Sequence, residues 1–456
     1  MKYIYILVTA CSVMVCSSCN DWLDIKPDRS LVIPETIDDY YSLLNNGAKL
    51  NSSYPCLGLF ATTSFYVTEQ VFGNGFIDWQ KNAYSWTEST PYNNLPDWNT
   101  AYSRILLCNL VIEGMNAINP PISNTEYERF RSVIGQAHFF RAINYFALAQ
   151  IFSNPYNPSS DNQELTIPIK ISTNINEVLK NSRVVDLYNF IINDLRIAVD
   201  YLPMGSEYFT RPNKLAVWAL FSRIYLSMSN YESSKKYSDS LLSNYSHLMN
   251  YNNIDNVGTY PFSRIEENSE IIFYNTLYPF SSSRLIIDSN LIKKFDDNDL
   301  RKELFFKYNA SGQASYIGSY AGSGLQFGGL AVDEIYLNRA ESNARIGNLK
   351  ESIEDINTLL IQRFKTGTYI PVSHSIGKDS IIKLVIEERR KELIFRGVRW
   401  YDVRRLTTVG EYNNTEKRVI NGEEYLLEPR SFKYTFPIPH SVIEGTKLAQ
   451  NEGWDK

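Results

Sequence analysis

The amino-acid sequence predicts a mainly α protein, in which a helical-repeat scaffold is joined to a long-loop, irregular subdomain with minor β structure. Apolar residues recur at three-and-four spacing along several long stretches, as they do in amphipathic helices. Two of these stretches can be overlaid as similar helical hairpins, which indicates an internal repeat. Two other segments, 50–96 and 246–329, show no period and are rich in aromatic residues. Ordered loops of this length are usually functional.

Charge and composition disfavour one class of function and favour another. The 456 residues include 45 Lys and Arg against 50 Asp and Glu, a net charge of −5. A nucleic-acid-binding protein would normally show a basic excess. Aromatic residues make up 14% of the chain, with 32 Tyr, 23 Phe and 7 Trp. Tyr and Trp combine a flat apolar face with a polar edge, which suits both wet interfaces and sugar rings.

The amino terminus reads as a lipoprotein signal peptide over residues 1–18. A lysine precedes an apolar run from Ile4 to Val15 that is too short to span a bilayer. The sequence S-S-C that follows resembles a bacterial lipobox, with Cys16 at the position that usually carries Leu. Cys19 is therefore predicted to be the acylated first residue of the mature chain, anchored to membrane lipid.

The mature chain, 19–456, is predicted to form one domain. A short helix over about 36–46 begins after Thr36, and helical periodicity returns over about 97–203. The two repeated hairpins occupy about 211–245 and 331–362. When their turns are overlaid, residues match in pairs: Trp218 with Tyr336, Ser222 with Ala340, Tyr225 with Asn343, Ser234 with Ser352, and Leu241 with Leu359. This pattern is tetratricopeptide-like, because each hairpin buries its apolar face only by stacking on a neighbour.

A highly charged stretch follows the second hairpin. A helix is predicted over 379–400, and Glu387 to Leu406 reads E-E-R-R-K-E-L-I-F-R-G-V-R-W-Y-D-V-R-R-L. Its arginines would bind carboxylates or backbone carbonyls of neighbouring segments, and a solvated charged face is the alternative. The loop-rich remainder, 407–456, contains a predicted β-hairpin that turns at Asn421-Gly422, and Ile271 to Tyr274 is a strand-like fragment in the second loop segment.

Catalytic and metal-binding patterns are absent from the sequence. The four histidines and the two cysteines of the mature body, Cys56 and Cys108, show no ligand spacing, so neither a metal nor a cofactor is predicted. Nucleophile elbows and phosphate loops are also missing, and the protein is predicted not to be an enzyme. A carboxylate pair for glycoside hydrolysis stays open, because 50 acidic residues can supply one. For Cys56 and Cys108, a disulfide and two free buried thiols both stay open.

The two long loop segments supply the candidate ligand-binding residues, since loops inserted on one side of a helical scaffold can present a recognition surface. For each candidate the alternative role is packing within its own loop, because a long ordered loop must bury some side chains. The candidates are Tyr66, Trp79, Trp86, Tyr278, Phe280, Tyr316, Tyr320 and Phe327.

Eight short motifs occur along the chain in a fixed order. They read C-N-D-W-L-D-I-K-P from Cys19, W-N-T-A-Y-S-R-I-L-L-C-N from Trp98, G-Q-A-H-F-F-R-A-I-N-Y-F from Gly135, R-V-V-D-L-Y-N-F-I-I-N-D-L from Arg183, R-P-N-K-L-A-V-W-A-L-F-S-R-I-Y-L from Arg211, E-I-Y-L-N-R-A-E from Glu334, E-R-R-K-E-L-I-F-R-G-V-R-W-Y-D-V-R-R-L from Glu388, and F-P-I-P with Q-N-E-G-W near the end. Together they resemble the SusD/RagB family of outer-membrane nutrient-binding lipoproteins of Bacteroidetes. The chain reads F-R-G at Arg396 where relatives often read F-E-G.

The resemblance implies tetratricopeptide-like helix pairs with a loop-rich ligand-binding face. It implies a lipid-anchored, surface-exposed outer-membrane protein that binds nutrient, usually oligosaccharide or polysaccharide fragments, and delivers it to a TonB-dependent barrel of the SusC/RagA type. A RagB-type lid that binds peptides is the alternative, followed by a tethered glycoside hydrolase or a pure interaction scaffold. Because ligand contacts vary within the family, the resemblance assigns a role to none of the candidate residues.

Overall fold

The structure, a computed structural model, describes residues 34–255, 258–262 and 265–454, so the predicted signal peptide and Cys19 lie outside the described residues. The α-helices of the described residues are α1 Ile37–Leu44, α2 Gly47–Leu50, α3 Leu57–Ala61, α4 Asp78–Ser85, α5 Pro96–Ala117, α6 Asn124–Phe152, α7 Val184–Tyr201, α8 Lys214–Ser227, α9 Tyr231–Leu242, α10 Ser289–Ile292, α11 Arg301–Leu304, α12 Val332–Ile346, α13 Leu349–Leu360, α14 Lys378–Glu392, α15 Arg399–Thr408 and α16 His440–Gly445. The strands are β1 Phe65–Tyr66, β2 Ile271–Phe273, β3 Ile286–Ile287, β4 Phe306–Tyr308, β5 Ala314–Tyr316, β6 Leu330–Ala331, β7 Glu416–Ile420 and β8 Glu423–Leu427.

The long helices form the predicted repeat scaffold. Helix α5 packs on α6, α6 on α7, α8 on α9 and α12 on α13, and α9 also packs on α12. The hairpins α8–α9 and α12–α13 therefore stack on each other. The mainly α, tetratricopeptide-like fold class is confirmed.

Within each repeated hairpin, a serine hydroxyl bonds across the closest approach of the two helices. Ser234 Oγ donates to the carbonyl of Ser222 at 3.0 Å, and Ser352 Oγ donates to the carbonyl of Ala340 at 2.7 Å. These are the residue pairs that match when the hairpin turns are overlaid. Their small side chains allow the two helix backbones to approach closely. Each buried serine hydroxyl is satisfied because it donates a hydrogen bond to the carbonyl on the facing helix.

The strands pair only in two-stranded antiparallel ladders, β1 with β3, β2 with β6, β4 with β5, and β7 with β8. The β1–β3 ladder joins the first loop segment to the second, with Phe65 opposite Ile287 and Tyr66 opposite Ile286. The β7–β8 hairpin turns at Asn421-Gly422, as predicted, with φ of 51° and 82° at these residues. Two positive φ values in a row suit the twist of a tight hairpin.

The charged stretch is not the single helix predicted over 379–400. Helix α14 ends at Glu392 and α15 begins at Arg399. In the break, Phe395 and Gly397 have φ of 59° and 78°. A left-handed conformation costs a phenylalanine about 1–2 kcal/mol. Burial offsets this cost, because the Phe395 ring stacks on Tyr316 with centroids 5.0 Å apart.

The charges of this stretch are largely buried, and the interpretation as a solvated face is wrong. As predicted, the arginines bind carboxylates and backbone carbonyls of neighbouring segments. The pairs include Arg389 with Asp402, Arg396 with Asp333, Arg405 with Glu341, and Arg404 with the carbonyls of Ala149 and Gln150.

The two cysteines of the body are free and buried. Burial raises the pKa of the Cys108 thiol to about 12. Both groups are therefore protonated at neutral pH and behave as small apolar side chains. The open question from the sequence is answered in favour of two free thiols.

Candidate ligand-binding cleft

The two long loop segments meet at a cleft on the loop-rich face. Its volume is about 40 Å³, and it is lined by Phe60, Gly75, Phe76, Gln80, Phe280, Ser281, Arg284 and Leu285. A cavity of this size holds a few water molecules and no sugar ring. A ring-sized ligand would therefore lie across its mouth and place only a substituent inside.

The floor of the cleft is a cluster of aromatic rings around Phe60, which lies on the fully buried helix α3. The Phe60 centroid is 5.4 Å from Phe76, 5.4 Å from Trp79 and 5.2 Å from Phe280, in edge-to-face arrangements. Edge-to-face contacts are the geometry that ring quadrupoles favour. Phe280 comes from the second loop segment, so the rings hold the two segments together.

One wall of the cleft comes from a π-helix at Val71–Gly75 and from the start of α4. Gln80 accepts a hydrogen bond from the backbone N–H of Ile77 at 3.1 Å through its side-chain oxygen, which caps the first turn of α4. The Gln80 amide nitrogen has no partner among the described residues. It is therefore a donor that a ligand hydroxyl can use.

The opposite wall comes from a 3₁₀ turn, Ser282–Arg284, that leads into β3. Ser281 and Arg284 line the cleft there and are exposed. The Arg284 guanidinium reaches across to Gly75, where a Cβ atom would lie 3.4 Å from Nη1. Glycine at position 75 leaves room for this close approach.

Three of the eight predicted aromatic residues are accessible at or near the cleft. Phe280 lines it and is partly exposed, as is Tyr278, whose ring centroid lies 6.1 Å from that of Trp79. Tyr66 is 43% exposed and lies opposite Ile286, two residues beyond Arg284. These rings are placed where a ligand across the cleft mouth could stack.

The other five predicted residues are buried, and none of them is among the residues that line the cleft. Trp86 donates its indole N–H to the carbonyl of Ala61 at 2.9 Å, and Tyr320 donates its hydroxyl to Glu270 at 2.8 Å. Such rings pack the loops against the body, the alternative role that the sequence left open, and offer no face to a ligand. The buried five are Trp79, Trp86, Tyr316, Tyr320 and Phe327.

Sequence reasoning missed most of the cleft lining, namely Phe60, Gly75, Phe76, Gln80, Ser281, Arg284 and Leu285. Polar residues in an aperiodic segment carry no pattern, and the two walls lie about 200 residues apart in the chain. The useful signal was the pair of aromatic-rich segments, which located the face but not the residues on it.

A buried arginine fixes the two helices that carry Phe60 and Gln80. Arg418 of β7 donates to the carbonyl of Phe60 at 3.0 Å and also to the carbonyls of Thr62 and Tyr84. Its guanidinium lies 3.6 Å from the centroid of the Tyr84 ring. Burial lowers the pKa of Arg418 to about 10, so the side chain stays charged at neutral pH. This contact joins the end of α3 to the end of α4.

A second buried cluster contains the carboxylates of Glu270, Asp333 and Glu392, whose oxygens lie within 4.8 Å of one another. Arg363 binds both Glu270 and Glu392 at 2.8 Å, and Arg396 binds Asp333 at 2.6 Å. Burial raises the pKa of Glu270 to about 7, whereas at Glu392 the arginines outweigh burial and lower the pKa to about 2. The cluster ties the second loop segment to α12 and α14.

Comparison with known proteins agrees with this architecture. Residues 21–226 match the SusD-like profile described as "Starch-binding associating with outer membrane", and residues 333–454 match the profile described as "SusD family". These matches cover more than two thirds of the chain. The fold and the profiles define an outer-membrane-associated class of nutrient-binding proteins with a helical scaffold. The chain belongs to the SusD/RagB family.

Individual relatives are similar over nearly the whole length. A SusD-like protein, P38, of Formosa agariphila is 22% identical, with 96% of each chain covered. The solved structure of a SusD superfamily protein from Bacteroides thetaiotaomicron is 21% identical with a TM-score of 0.72, covering 91% of this chain and 99% of that one. A SusD-like carbohydrate binding protein from Bacteroides vulgatus is 19% identical with a TM-score of 0.65, covering 91% and 97%.

Across the described residues 34–255, 258–262 and 265–454, no helix combines the length and the apolar character that crossing a bilayer requires.

Proposed function

We propose that the protein binds oligosaccharide or polysaccharide fragments at the cleft, without catalysis, and delivers them to a TonB-dependent outer-membrane barrel. The observation that carries the ligand class is the arrangement around the cleft mouth. The accessible ring of Phe280 lines the cleft with the neutral hydrogen-bonding groups of Gln80 and Ser281. The accessible residue Tyr278 lies two positions before Phe280, and Tyr66 pairs with Ile286, next to the lining residue Leu285. Stacking faces next to donors for hydroxyl groups suit a sugar ring.

Calorimetric titration of the purified protein with oligosaccharides and with peptides tests the ligand class. We expect a measurable heat of binding with at least one glycan. The affinity for that glycan should be about tenfold lower in Tyr66→Ala, because loss of one stacking contact costs about 1 kcal/mol or more. Tyr127→Ala is the matched control, because Tyr127 is similarly exposed, 41%, but lies on scaffold helix α6. Binding of peptides alone would contradict the glycan proposal and favour a RagB-type peptide lid.

The barrel partner is proposed from family membership and from the predicted lipid anchor at Cys19. Solubilising the outer membrane and recovering this protein through an affinity tag should co-purify a large TonB-dependent barrel. Cys19→Ala should release the protein from the membrane fraction. Recovery of unrelated soluble partners in place of a barrel would support the pure-scaffold alternative.

A further inference from the structure

Arg284 is a cation on the cleft wall whose charge is not balanced by the described part of the chain. Among the described residues it has neither an ion pair nor a side-chain hydrogen bond, and the residues that line the cleft include no acid. Glu69 and Asp78, which flank the π-helix in sequence, form no ion pair with it. Other arginines of this chain, such as Arg301 and Arg363, are buried against carboxylates.

The backbone that carries Arg284 is held in a defined place, and its guanidinium lies near Gly75. The Arg284 backbone N–H donates to the carbonyl of Ser281 at 3.2 Å, which closes the 3₁₀ turn. Two residues later, the β1–β3 ladder fixes the chain against Tyr66. At its far end, Nη1 lies against the backbone of Gly75.

We propose that the ligand is an acidic glycan, and that Arg284 binds a carboxylate or sulfate ester on the sugar that lies across the cleft mouth. This inference rests on the proposed glycan-binding function and adds the ligand's charge to it. The planar guanidinium matches carboxylate and sulfate geometry with two parallel hydrogen bonds. Gln80 and Ser281 remain available for hydroxyl groups, and the aromatic rings for the sugar face.

Charge complementarity explains why a neutral glycan is the poorer ligand. A neutral sugar laid over Arg284 would displace water from the guanidinium and return only hydrogen bonds to uncharged acceptors. A carboxylate or sulfate adds the attraction of opposite charges and can accept two parallel hydrogen bonds from the planar guanidinium. The acidic substituent is small enough to enter the cleft, whereas the sugar ring is not.

A first experiment selects the ligand. Affinity electrophoresis of the full chain is run through gels that contain neutral glucans, galactans and mannans, carboxylated polysaccharides such as polygalacturonate and alginate, or sulfated carrageenan. We expect retardation by at least one acidic polysaccharide. Retardation by none of them, acidic or neutral, overturns glycan binding itself, and the inference falls with it. Retardation by neutral polysaccharides alone overturns only the acidic inference.

A second experiment measures the role of Arg284 on the ligand so identified. Calorimetry compares oligosaccharides of the acidic form with the same oligosaccharides after methyl esterification or desulfation, which distinguishes the carboxylate from the sulfate. The natural protein should bind the acidic form with an affinity at least about tenfold higher than that for the neutral form. This preference should weaken as salt is added. In Arg284→Gln the two forms should bind almost equally.

Two variants serve as controls. Arg284→Lys keeps the charge but loses the planar fork, so it should retain part of the preference. Lys350→Gln removes an exposed cation from α13 and should leave the preference unchanged, which tests for a nonspecific effect of net charge. The melting temperature of Arg284→Gln should equal that of the natural protein. An acidic preference that survives in Arg284→Gln overturns the inference and leaves glycan binding standing.

Discussion

The stacked hairpins and the loop-rich face satisfy their buried polar groups over very different distances in the chain. In the hairpins the key contacts are local and repeated, as Ser234 with Ser222 and Ser352 with Ala340 show. On the loop-rich face each contact is unique, and Arg418 reaches carbonyls more than 330 residues away. A repeat scaffold can thus be specified by a sequence period, whereas an irregular face needs individual long-range anchors.

The two regions also differ in the charge of those anchors. At the closest approach of the helices in each repeated hairpin the bridge is a neutral hydroxyl, and the buried pair Arg223–Glu334 joins one hairpin to the other, while fully buried arginines secure the loops. Removing one buried ionic partner leaves the other charge unpaired in a low-dielectric interior, which costs more than the loss of a neutral hydrogen bond. Loss of a buried arginine that secures a loop should therefore cost more than loss of a hairpin serine hydroxyl.

The largest expected effect is at Arg363, which joins Glu270 to Glu392. Arg363→Met should lower the free energy of unfolding by about 3–5 kcal/mol, because it takes away the arginine that binds the buried Glu270 carboxylate and one of the two arginines that bind Glu392. Chemical denaturation at neutral pH measures the change. Lys365→Met, which removes a half-exposed cation that pairs with Glu303, is the control and should cost no more than about 1 kcal/mol. Equal effects at both positions would show that burial of the Arg363 charge does not set the cost, and an effect no larger than that of a hairpin serine would remove the distinction between the two regions.

Trp400→Ala should have an effect of similar or slightly smaller size. Trp400 is 1% exposed and stacks on Tyr434 with centroids 5.4 Å apart, so truncation should cost about 3–5 kcal/mol. Thermal melting measures the loss, and Arg399→Ala should also lower the melting temperature. Neither variant should selectively weaken ligand binding at temperatures where it remains folded. Normal stability with lost binding would make this stretch part of the site.

Asp97 should give the protein a pH-dependent stability at the junction of the two regions. It accepts the N–H groups of Cys56 and Leu57 through Oδ2, while Oδ1 is buried without a partner among the described residues. Burial raises the pKa of Asp97 from 3.8 to about 7. The folded state therefore binds a proton that the unfolded state releases between these values, and the contribution of Asp97 to stability falls as pH rises.

Asp97→Asn isolates this contribution, since an amide resembles the protonated acid in shape. The stability of Asp97→Asn relative to the natural protein should increase by up to about 1.4 kcal/mol per pH unit between pH 4 and pH 7. Denaturation curves at several pH values measure it. Because other buried carboxylates titrate identically in both proteins, only the difference is interpreted. A difference that does not change with pH would show an ordinary pKa at Asp97.

The smallest effects are expected inside a hairpin. Ser352→Leu inserts a large side chain at the closest approach of α12 and α13 and should cost about 1–3 kcal/mol. Ser352→Ala keeps the close approach of the helices and loses only the hydroxyl, so the free energy of unfolding should fall by about 1 kcal/mol. Thermal or chemical denaturation ranks the two variants. The opposite order would mean that the hydrogen bond, and not the spacing, determines hairpin stability.

Sequence reasoning succeeded where spacing repeats and failed where contacts are distant. The overlay of Ser222 with Ala340 locates the helix crossings from residue spacing alone. The charged stretch was predicted as one helix because Leu393 and Trp400 continue its apolar stripe. Nothing local shows that Phe395 will take a left-handed conformation, which depends on Tyr316, 79 residues earlier.

The candidate cleft shows the same limit. Trp86 was a candidate ligand contact because it lies in an aperiodic, aromatic-rich segment, with packing within the loop as the alternative. The partner is Arg418, whose guanidinium lies 4.7 Å from the Trp86 ring. Arg284 could not be distinguished in the sequence from any other loop arginine, because what distinguishes it is its place on the cleft wall beside Gly75.

The break between α14 and α15 has a mechanical consequence. Phe395 projects from it and lies 6.3 Å from Phe280, the ring that the second loop segment contributes to the cleft floor. On either side of Phe395 in the chain, Glu392 and Arg396 are fixed in buried ion pairs. The Phe395 ring thus connects the buried ion pairs around the break to the aromatic floor of the cleft. Through this contact the position of the cleft floor depends on the helical scaffold.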